Sequence, residues 1–381
     1  MAFFVYYVVL VATVIIIVPA SAIPSSFSLS MEAKALRISG WWSGNISSAN
    51  HCELEGITCN EARSVTRIDL HLSYTYLSRK LEYMNWTSLP NLEYLNLSHC
   101  FLAGSISDNI GSLSKLTSLD LSSNSQLEGV LPLTLGNLTQ LVELNISVTQ
   151  ISGPIPSDLS SNRISGSIPQ EIWKLKNLQV IYVGHNILSG PISSLLGELI
   201  NLTYLDLSSN QLGGSIPQEI RDLTHLSYLD LSSNFLTGRI PWSLDQLTNL
   251  YSLNLSANQM DGVIPPDLGG LPSLSELDLS SNQLSGHILN LQLTNAIRRL
   301  DLSQNQLTGP LPEKLEQLSN LFYLGLSNNY LNGIIPTGLA SLPLEYLNLS
   351  HNNLSGAIPI GFTGRHGSVD LSNNAFEGQI P

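Results

Sequence analysis

A unit of about 24 residues repeats along most of the chain and constrains the fold more than any other feature. Residues 202–225, 226–249 and 250–273 all fit the pattern LxxLxLxxNxLxGxIPxxLxxLxx. Other copies begin at Leu92, Leu116, Leu141, Leu178, Leu274, Ile297, Leu321 and Leu344, with a degenerate first copy near Val65 and a truncated last copy at 369–376. A single copy cannot bury its own leucines, but stacked copies share one continuous core. The pattern therefore predicts one solenoid of about thirteen copies, although 381 residues would otherwise suggest two or three domains.

The leucine spacing within a copy predicts a short strand. In LxxLxL the second and third leucines point inward and the residues between them face out, as on any strand. The Asn that follows, as at Asn210 and Asn234, is expected to turn the chain and to bond backbone groups of its own and the neighbouring coil. Gly then allows a tight bend, and Pro stiffens the return path. Stacking such strands gives a curved parallel sheet of roughly 60 Å.

The repeat joined to GxIP resembles the extracellular domains of plant leucine-rich-repeat receptor-like kinases, and the resemblance covers Val65 to Pro381. It implies an α/β solenoid, a right-handed superhelix with a concave parallel β-sheet and a convex side of loops, short 3-10 turns and helical turns. It also implies an N-terminal cap over 23–64, where 32–36, Trp41-Trp42 and 52–59 match the family's arrangement. In this cap Ala33, Leu36 and Ile38 are expected on one side of a short helix ending at Gly40.

The cysteines and two histidines invite several interpretations. Within the cap, Cys52 and Cys59 are predicted to form a disulfide, since a secreted chain permits one. Zinc is the alternative, but no second Cys/His pair follows at zinc-ribbon spacing. Cys100 falls at the Asn position of its repeat, which predicts a buried structural thiol or, alternatively, a reactive one. His71 and His99 near Asp69 suggest either a metal or pH-sensing role or solvated surface histidines.

The N-terminal segment indicates where the protein is located. The apolar run from Phe3 to Val18, followed by Pro-Ala-Ser-Ala, predicts a signal peptide over 1–22 and a secreted or cell-surface chain. An uncleaved anchor is the alternative, although the run is shorter than the ~20 residues that span a membrane. Plasma-membrane attachment would follow if the gene continues into a membrane helix.

Two irregularities interrupt the repeat array at 65–381. The Ile-Pro dipeptides at 155–156 and 168–169 are 13 residues apart, whereas the repeat period is about 24 residues. One copy has therefore lost its strand, and a break or protruding loop is expected at 154–169. The sequence also stops in mid-repeat at 378–381, without a C-terminal cap. A solenoid end without a polar cap leaves apolar core open, which predicts a truncated product or another element covering that end.

Catalysis is not expected from this sequence. It contains no glycine-rich phosphate loop, kinase motif, GxSxG or HExxH, so we predict no enzyme activity, cofactor or metal. With 29 Asp+Glu against 16 Lys+Arg, the formal net charge of −13 also argues against a nucleic-acid partner, which needs a basic footprint.

The outward residues of the strands form the candidate binding surface. One column carries tyrosines and the next carries Asp and Asn, which suits an extended peptide with basic side chains. The alternative is scaffold, because LDLSSN is the repeat's own consensus. Arg298 and Arg299 could receive a ligand carboxylate or could offset Asp301. The predicted ligand-binding residues are Glu143, Tyr182, His185, Tyr204, Tyr228, Glu276, Arg298, Arg299, Phe322 and Tyr323.

Glycosylation sequons are spread along the chain. Those at Asn96, Asn145, Asn254 and Asn348 lie on the predicted strands, where a glycan would obstruct the groove; Asn353 carries a further one. The better-used set is predicted to be Asn45, Asn85, Asn137 and Asn201.

The resemblance implies an extracellular ligand-recognition module of the receptor-like kinase class. Its partners would be a secreted peptide or protein ligand and a leucine-rich-repeat co-receptor. One alternative is a secreted inhibitor resembling polygalacturonase-inhibiting proteins, although their additional cap cysteines are absent here. Another is a truncated receptor fragment or decoy.

Overall fold

The computed structural model describes residues 25–71, 80–152, 167–288, 292–362 and 367–379. The signal peptide predicted over 1–22 and most of the irregular segment 154–169 lie outside these residues, so both stay predictions. Among the described residues, no helix combines the length and the apolar character that a membrane span requires.

One long sheet runs through the described part of the chain, and we call it the main sheet. Its first two strands are antiparallel, and every later neighbour is parallel, with one strand from each copy. The predicted solenoid is therefore confirmed. In order, its 14 described strands are Ile57–Cys59, Val65–Asp69, Tyr94–Asn96, Ser118–Asp120, Glu143–Asn145, Val180–Tyr182, Tyr204–Asp206, Tyr228–Asp230, Ser252–Asn254, Glu276–Asp278, Arg299–Asp301, Tyr323–Gly325, Tyr346–Asn348 and Ser368–Asp370.

A second row of short strands follows the asparagine turns and forms what we call the lateral sheet. In the described residues it has two parts. The first contains Ala103–Gly104, Gln126–Val130 and Gln150–Ser152. The second contains Ser189–Pro191, Gln211–Gly214, Phe235–Arg239, Gln259–Val263, Gln283–His287, Gln306–Pro310, Tyr330–Gly333, Asn353–Gly356 and Ala375–Phe376.

Short 3-10 helices return the chain to the next strand. In six of the described copies the helix begins after the IP or LP dipeptide, and the N-cap is the proline, whose ring fixes φ. Those described are His51–Glu53, Leu81–Tyr83, Trp86–Ser88, Asp108–Ser112, Leu133–Asn137, Ile172–Lys174, Ser194–Glu198, Gln218–Asp222, Trp242–Gln246, Pro266–Gly270, Glu313–Gln317 and Thr337–Ser341. The leucines between the two sheets and these helices form one continuous buried core.

The asparagine that follows the strand forms hydrogen bonds to the neighbouring copy, as predicted. Asn210 Nδ2 donates to Leu207 O and Ser208 O in its own turn and to Val183 O in the preceding copy. Its Oδ1 accepts from the Leu188 N–H at 2.9 Å. The same arrangement recurs at Asn234, Asn258, Asn282, Asn305 and Asn329. Each buried amide therefore satisfies backbone groups that the sharp turn leaves without strand partners.

Cys100 occupies this ladder position in its own copy. Its side chain is buried, and the thiol donates to Leu70 O at 2.9 Å. The residue therefore fills a structural position, which agrees with the first of the two interpretations of this cysteine.

The missing strand leaves the main sheet intact. Leu144 pairs directly with Ile181, so the sheet passes from 143–145 to 180–182 without a gap. Asn186 supplies the amide for both sides, because it donates to Ile146 O across the defect and to Val183 O in its own turn. Among the described residues, the strands of the lateral sheet form two groups on either side of this point, and the Ile187 N–H donates to Ile151 O between them at 3.3 Å.

The N-terminal cap differs from the expectation in one side chain. Its helix spans Ser25–Ser39, and Ala33 and Leu36 are buried as predicted. Ile38, however, is 58% exposed, and the fully buried Glu32 faces the solenoid. Glu32 accepts hydrogen bonds from Ser64 and Val65 of the first repeat, so a polar side chain, rather than Ile38, joins Ala33 and Leu36 among the buried residues of this helix.

Val148 carries a backbone strain that sequence periodicity does not reveal. Its φ of 55° lies in the left-handed region, where a β-branched residue is disfavoured. Val148→Asn is expected to raise the free energy of unfolding by about 1 kcal/mol, since asparagine tolerates this conformation. Urea unfolding monitored by circular dichroism measures the change.

The matched control for this prediction is Val263→Asn. Val148 and Val263 are both 47% exposed, but only Val148 has a positive φ. A gain at Val263 equal to that at Val148 would contradict the strain interpretation.

Candidate functional site

The outward face of the main sheet presents two parallel columns of side chains, because the inward residue of each strand is the buried leucine between them. The first column contains the residue before that leucine, and the second contains the residue after it. The first column is Arg67, Tyr94, Ser118, Glu143, Val180, Tyr204, Tyr228, Ser252, Glu276, Arg299, Tyr323, Tyr346 and Ser368.

Three tyrosines form a stacked ladder at the centre of this face. The Tyr204 and Tyr228 rings are parallel with centroids 4.1 Å apart. Tyr182, from the second column, packs against Tyr204 at 4.3 Å with its ring tilted by 43°. Burial raises the pKa of all three phenols, so each stays protonated at neutral pH and presents a hydrogen-bonding hydroxyl. These three predicted site residues therefore form one unit.

A second aromatic cluster lies toward the C-terminal copies. Tyr323 and Tyr346 stack at 4.3 Å, and the Arg299 guanidinium lies 3.6 Å from the Tyr323 ring centroid. Arg299 Nη2 also lies 3.7 Å from Asp278 Oδ2 and 3.6 Å from Asp301 Oδ2. The charge of Arg299 is thus offset within the chain, which agrees with the second interpretation of this residue.

The surroundings of Asp301 are adapted to this cluster. The Tyr323 hydroxyl donates to Asp301 Oδ2 at 2.9 Å. Burial is the main cause that raises the pKa of Tyr323, and the negative charge of Asp301 is the second. Gly325 replaces the polar residue of the second column here. A Cβ at this glycine would lie 2.6 Å from Asp301 Oδ1, so a side chain would displace the carboxylate.

The remaining predicted residues are dispersed around these clusters. Arg298 and Phe322 precede their strands and are exposed, whereas His185 lies in the left-handed turn beyond its strand. Glu143 and Glu276 stand in the first column, and each accepts a hydrogen bond from a serine on the preceding strand. The ten predicted residues do not line one pocket. They are distributed along the outward face of the main sheet, and we call the two columns of this face the strip.

Sequence reasoning missed an arginine–tyrosine pair at the N-terminal end of the strip. The Arg67 guanidinium lies 3.5 Å from the Tyr94 centroid and pairs with Asp69 at 2.5 Å. Burial opposes ionisation of Asp69, but hydrogen bonds from His71 and Arg67 outweigh it and lower the pKa of the carboxyl. The signal was present in the sequence, because Arg67 precedes Tyr94 by one copy, as Arg299 precedes Tyr323.

Carboxyl groups at the centre of the strip are partly desolvated. Burial raises the pKa of Asp230 and of Asp278, against opposing hydrogen bonds from Ser232 and Ser280. A cationic ligand group beside these carboxyls would favour their ionised form, and would therefore be held more tightly than at a fully solvated site.

The candidate metal ligands lie elsewhere. Cys52 and Cys59 form a disulfide with a Cα–Cα distance of 5.8 Å. With His51 they make up the one group within the described ranges whose ligand atoms are close enough to share an ion, and the disulfide occupies both sulfurs. His71 pairs with Asp69, whereas His99 occupies a left-handed turn.

Comparison with known proteins identifies the repeat. Models described as leucine-rich repeat match residues 240–284 and 295–356, 200–247, and 91–113, 115–138 and 158–175. Together they cover more than half of the chain. The chain belongs to the leucine-rich-repeat family.

Its leucine-rich-repeat relatives are plant receptors. Phytosulfokine receptor 1 of Arabidopsis thaliana is 34% identical over 175 residues, which is 37% of this chain and 17% of that protein. Receptor-like protein 39 of the same organism is 33% identical over 236 residues, 49% of this chain and 26% of the relative. The chain therefore matches only about a sixth to a quarter of the length of these relatives.

A solved structure shares the leucine-rich-repeat fold over nearly the whole chain. The Arabidopsis receptor kinase HAESA, in complex with the peptide hormone IDA and the co-receptor SERK1, is 32% identical with a TM-score of 0.72. The likeness covers 92% of this chain and 62% of that one. The fold of the present chain is thus that of plant leucine-rich-repeat receptor ectodomains.

Sequons divide between this strip and other surfaces. In the strip, Asn145 Nδ2 donates to Asp120 Oδ2 and Asn254 Nδ2 donates to Asp230 Oδ2, both at 3.2 Å. A glycan on either amide would replace one of the two Nδ2 hydrogens and stand in the strip.

We therefore predict that Asn45, Asn85, Asn137 and Asn201, which are all exposed, carry more glycan than Asn254 and Asn348 in secreted protein. Asn201 is the sharpest case, since its Nδ2 also donates to Lys176 O at 2.8 Å. Peptide mapping after enzymatic deglycosylation measures occupancy at each sequon. Full glycosylation of Asn254 and Asn348 would contradict a ligand site along those copies.

Proposed function

We propose that this chain is an extracellular recognition module of the plant leucine-rich-repeat receptor class, which binds a secreted peptide or protein on the outward face of the main sheet. The observation that carries the proposal is the strip itself. Stacked tyrosines and carboxyl groups occupy consecutive strands of this face. A face that served only the stability of the repeat would require neither stacked rings nor charged side chains on neighbouring strands. Aromatic rings held rigid by stacking offer contact area at low entropic cost.

The comparisons support this proposal. Related ectodomains include HAESA in complex with a peptide hormone and co-receptor, and RGFR1 in complex with RGF2. By analogy, the working location would be the cell exterior or cell surface, the second partner would be a leucine-rich-repeat co-receptor, and the module itself would bind without catalysing a reaction.

Binding can be tested with a displayed library of random peptides. We expect selected peptides to protect the strands 204–206, 228–230 and 323–325 from hydrogen exchange. Tyr204→Ala and Tyr228→Ala should each weaken a selected peptide by about tenfold, since buried aromatic anchors contribute about 1–2 kcal/mol each. Calorimetric titration measures the affinity.

Tyr330→Ala is the matched control, because Tyr330 is 65% exposed on the lateral sheet and outside the strip. Its affinity should stay within about twofold of the unmodified chain. Protection confined to the lateral sheet, or equal losses in all three variants, would contradict the proposed function.

A further inference from the structure

The first column of the main sheet contains the same three-residue order twice. A tyrosine, a serine and a glutamate follow one another on consecutive strands, and in both sets the serine hydroxyl donates to Oε2 of the glutamate, at 3.0 Å and 3.1 Å. We call the set Tyr94, Ser118 and Glu143 slot A, and the set Tyr228, Ser252 and Glu276 slot B.

Each slot is a gap one strand wide. Ser252 in slot B is only 6% exposed and its hydroxyl is bonded to Glu276, whereas Ser118 in slot A is partly exposed. Two strand spacings, roughly 9.6 Å, separate the backbones of Tyr228 and Glu276. Tyr204 stacks on one face of Tyr228 at 4.1 Å, so a planar group above Ser252 would meet the opposite face at a similar distance.

The chain itself shows which group fits between a tyrosine face and a carboxylate. The Arg67 guanidinium lies against Tyr94 and pairs with Asp69. The Arg299 guanidinium lies against Tyr323 and pairs with the aspartates beside it. Both are cation–π contacts closed by a carboxylate, which is a stronger arrangement than either contact alone.

In the described part of the chain, the glutamate carboxylate of slots A and B has no such cation, although Arg67 lies against the Tyr94 ring from the strand on the side away from Ser118. Among the described residues, no lysine, arginine or histidine nitrogen lies within 4.0 Å of the Glu143 or Glu276 carboxyl oxygens. Asp120 lies beside slot A and Asp230 lies beside slot B, whereas Arg67 and Arg299 stand one strand outside the slots and are paired with Asp69, Asp278 and Asp301. Charge complementarity therefore favours a ligand cation.

We propose that slots A and B each bind a guanidinium or ammonium side chain of one extended basic peptide, an inference that rests on the proposed recognition function. Five strand spacings, about 24 Å, separate Ser118 from Ser252 along the sheet. An extended peptide rises about 3.3 Å per residue, so its two cationic residues stand about seven positions apart. Tyr182 and Tyr204 of the tyrosine ladder lie between the slots, beneath the middle of the peptide.

The strand missing after 143–145 helps to set this distance. Because Leu144 pairs directly with Ile181, the two slots are one strand spacing closer than in an unbroken array. The defect in the repeat thus becomes part of the specificity.

The probe is the peptide GRGSGSGSRG, whose arginines are seven positions apart, with blocked ends. A peptide of the same composition with arginines three positions apart is its control, because it can fill only one slot at a time. We expect the first peptide to bind at least tenfold more tightly in calorimetry at physiological salt, since its second contact is intramolecular. Replacing both arginines by glutamate should abolish binding.

Variants of the chain locate the contact. Glu143→Gln or Glu276→Gln should weaken the probe about tenfold and remove the preference for the longer spacing. Glu128→Gln makes the same charge change at an exposed position of the lateral sheet, and its affinity should stay within about twofold of the unmodified chain. Equal binding of the two spacings, or equal losses in all three variants, would overturn the slots.

The same protein separates this inference from the function on which it rests. If library-selected peptides bind the unmodified chain and the Glu143→Gln/Glu276→Gln double variant equally well, the slots are wrong and the recognition role stands. If the library yields no peptide that protects the main sheet, the recognition role itself fails.

Discussion

Replacement of Asn234 by alanine is expected to lower the free energy of unfolding by about 3–4 kcal/mol. The side chain is buried, and its Nδ2 donates to Leu207 O, Leu231 O and Ser232 O at 3.0–3.2 Å. Its Oδ1 accepts from the Leu212 N–H at 2.9 Å. Alanine would leave one buried donor and several carbonyls of two adjacent copies without partners, and each such loss costs about 1 kcal/mol or more. Urea unfolding followed by circular dichroism measures the total.

Asn249→Ala provides the comparison for Asn234→Ala. Asn249 is exposed and makes one inter-copy bond, from Nδ2 to Thr224 O at 2.8 Å, so its loss should cost less than about 1 kcal/mol. Asn234→Cys should fall between the two, because Cys100 shows that a thiol can occupy a ladder position and donate to a carbonyl. Equal losses at Asn234 and Asn249 would show that the ladder does not hold the copies together.

The ladder illustrates why so much of this fold could be predicted from the sequence. Equivalent positions in successive copies have the same surroundings. The alternation of LxxLxL therefore predicts which residues are buried, and the Asn predicts the turn. The same alternation predicts that Tyr204 and Tyr228 lie on the outward face, whereas it leaves two alternatives for Arg299. Only the structure chooses between them, because the choice depends on the side-chain conformations of Arg299, Tyr323 and two aspartates on three strands.

Departures from periodicity were harder to predict. The lost strand predicts a break or protruding loop at 154–169, and this stays a prediction because most of that segment lies outside the described residues. The main sheet itself continues, since strand 143–145 pairs directly with 180–182. Sequence alone also could not show that the serine in each slot holds a glutamate. That contact joins residues 24 or 25 positions apart through side chains whose types are common at this position.

Some carboxylates of the strip are paired with arginines and others are not, and this difference refines the interpretation of the acidic composition. Arg67 and Arg299 already neutralise aspartates near the two ends of the strip. Between them, Glu143 and Glu276 accept hydrogen bonds from serines, which orient the carboxyl groups without cancelling charge. Glu143 and Glu276 therefore keep their negative charge within a strip whose arginines are already paired with aspartates.

The cap depends on one buried carboxyl group, and Glu32→Ala is expected to destabilise it by about 3–5 kcal/mol. Glu32 Oε1 accepts from Ser64 Oγ at 2.5 Å, and Oε2 accepts from the Val65 N–H at 2.9 Å. His51 Nε2 lies 3.5 Å from Oε2, and both side chains are fully buried. Alanine would open a cavity and leave the first parallel strand without the acceptor that ties it to the helix.

Hydrogen exchange of the strand Val65–Asp69 measures this loss locally, because cap opening precedes unfolding of the later copies in a solenoid. Glu32→Gln keeps one acceptor oxygen and should recover part of the protection. Glu61→Ala removes an exposed carboxyl from the same cap and should change exchange of the strand little, by less than about 0.5 kcal/mol. If Glu32→Ala leaves exchange of 65–69 at the level of Glu61→Ala, the disulfide and Leu36 hold the cap without the buried carboxyl.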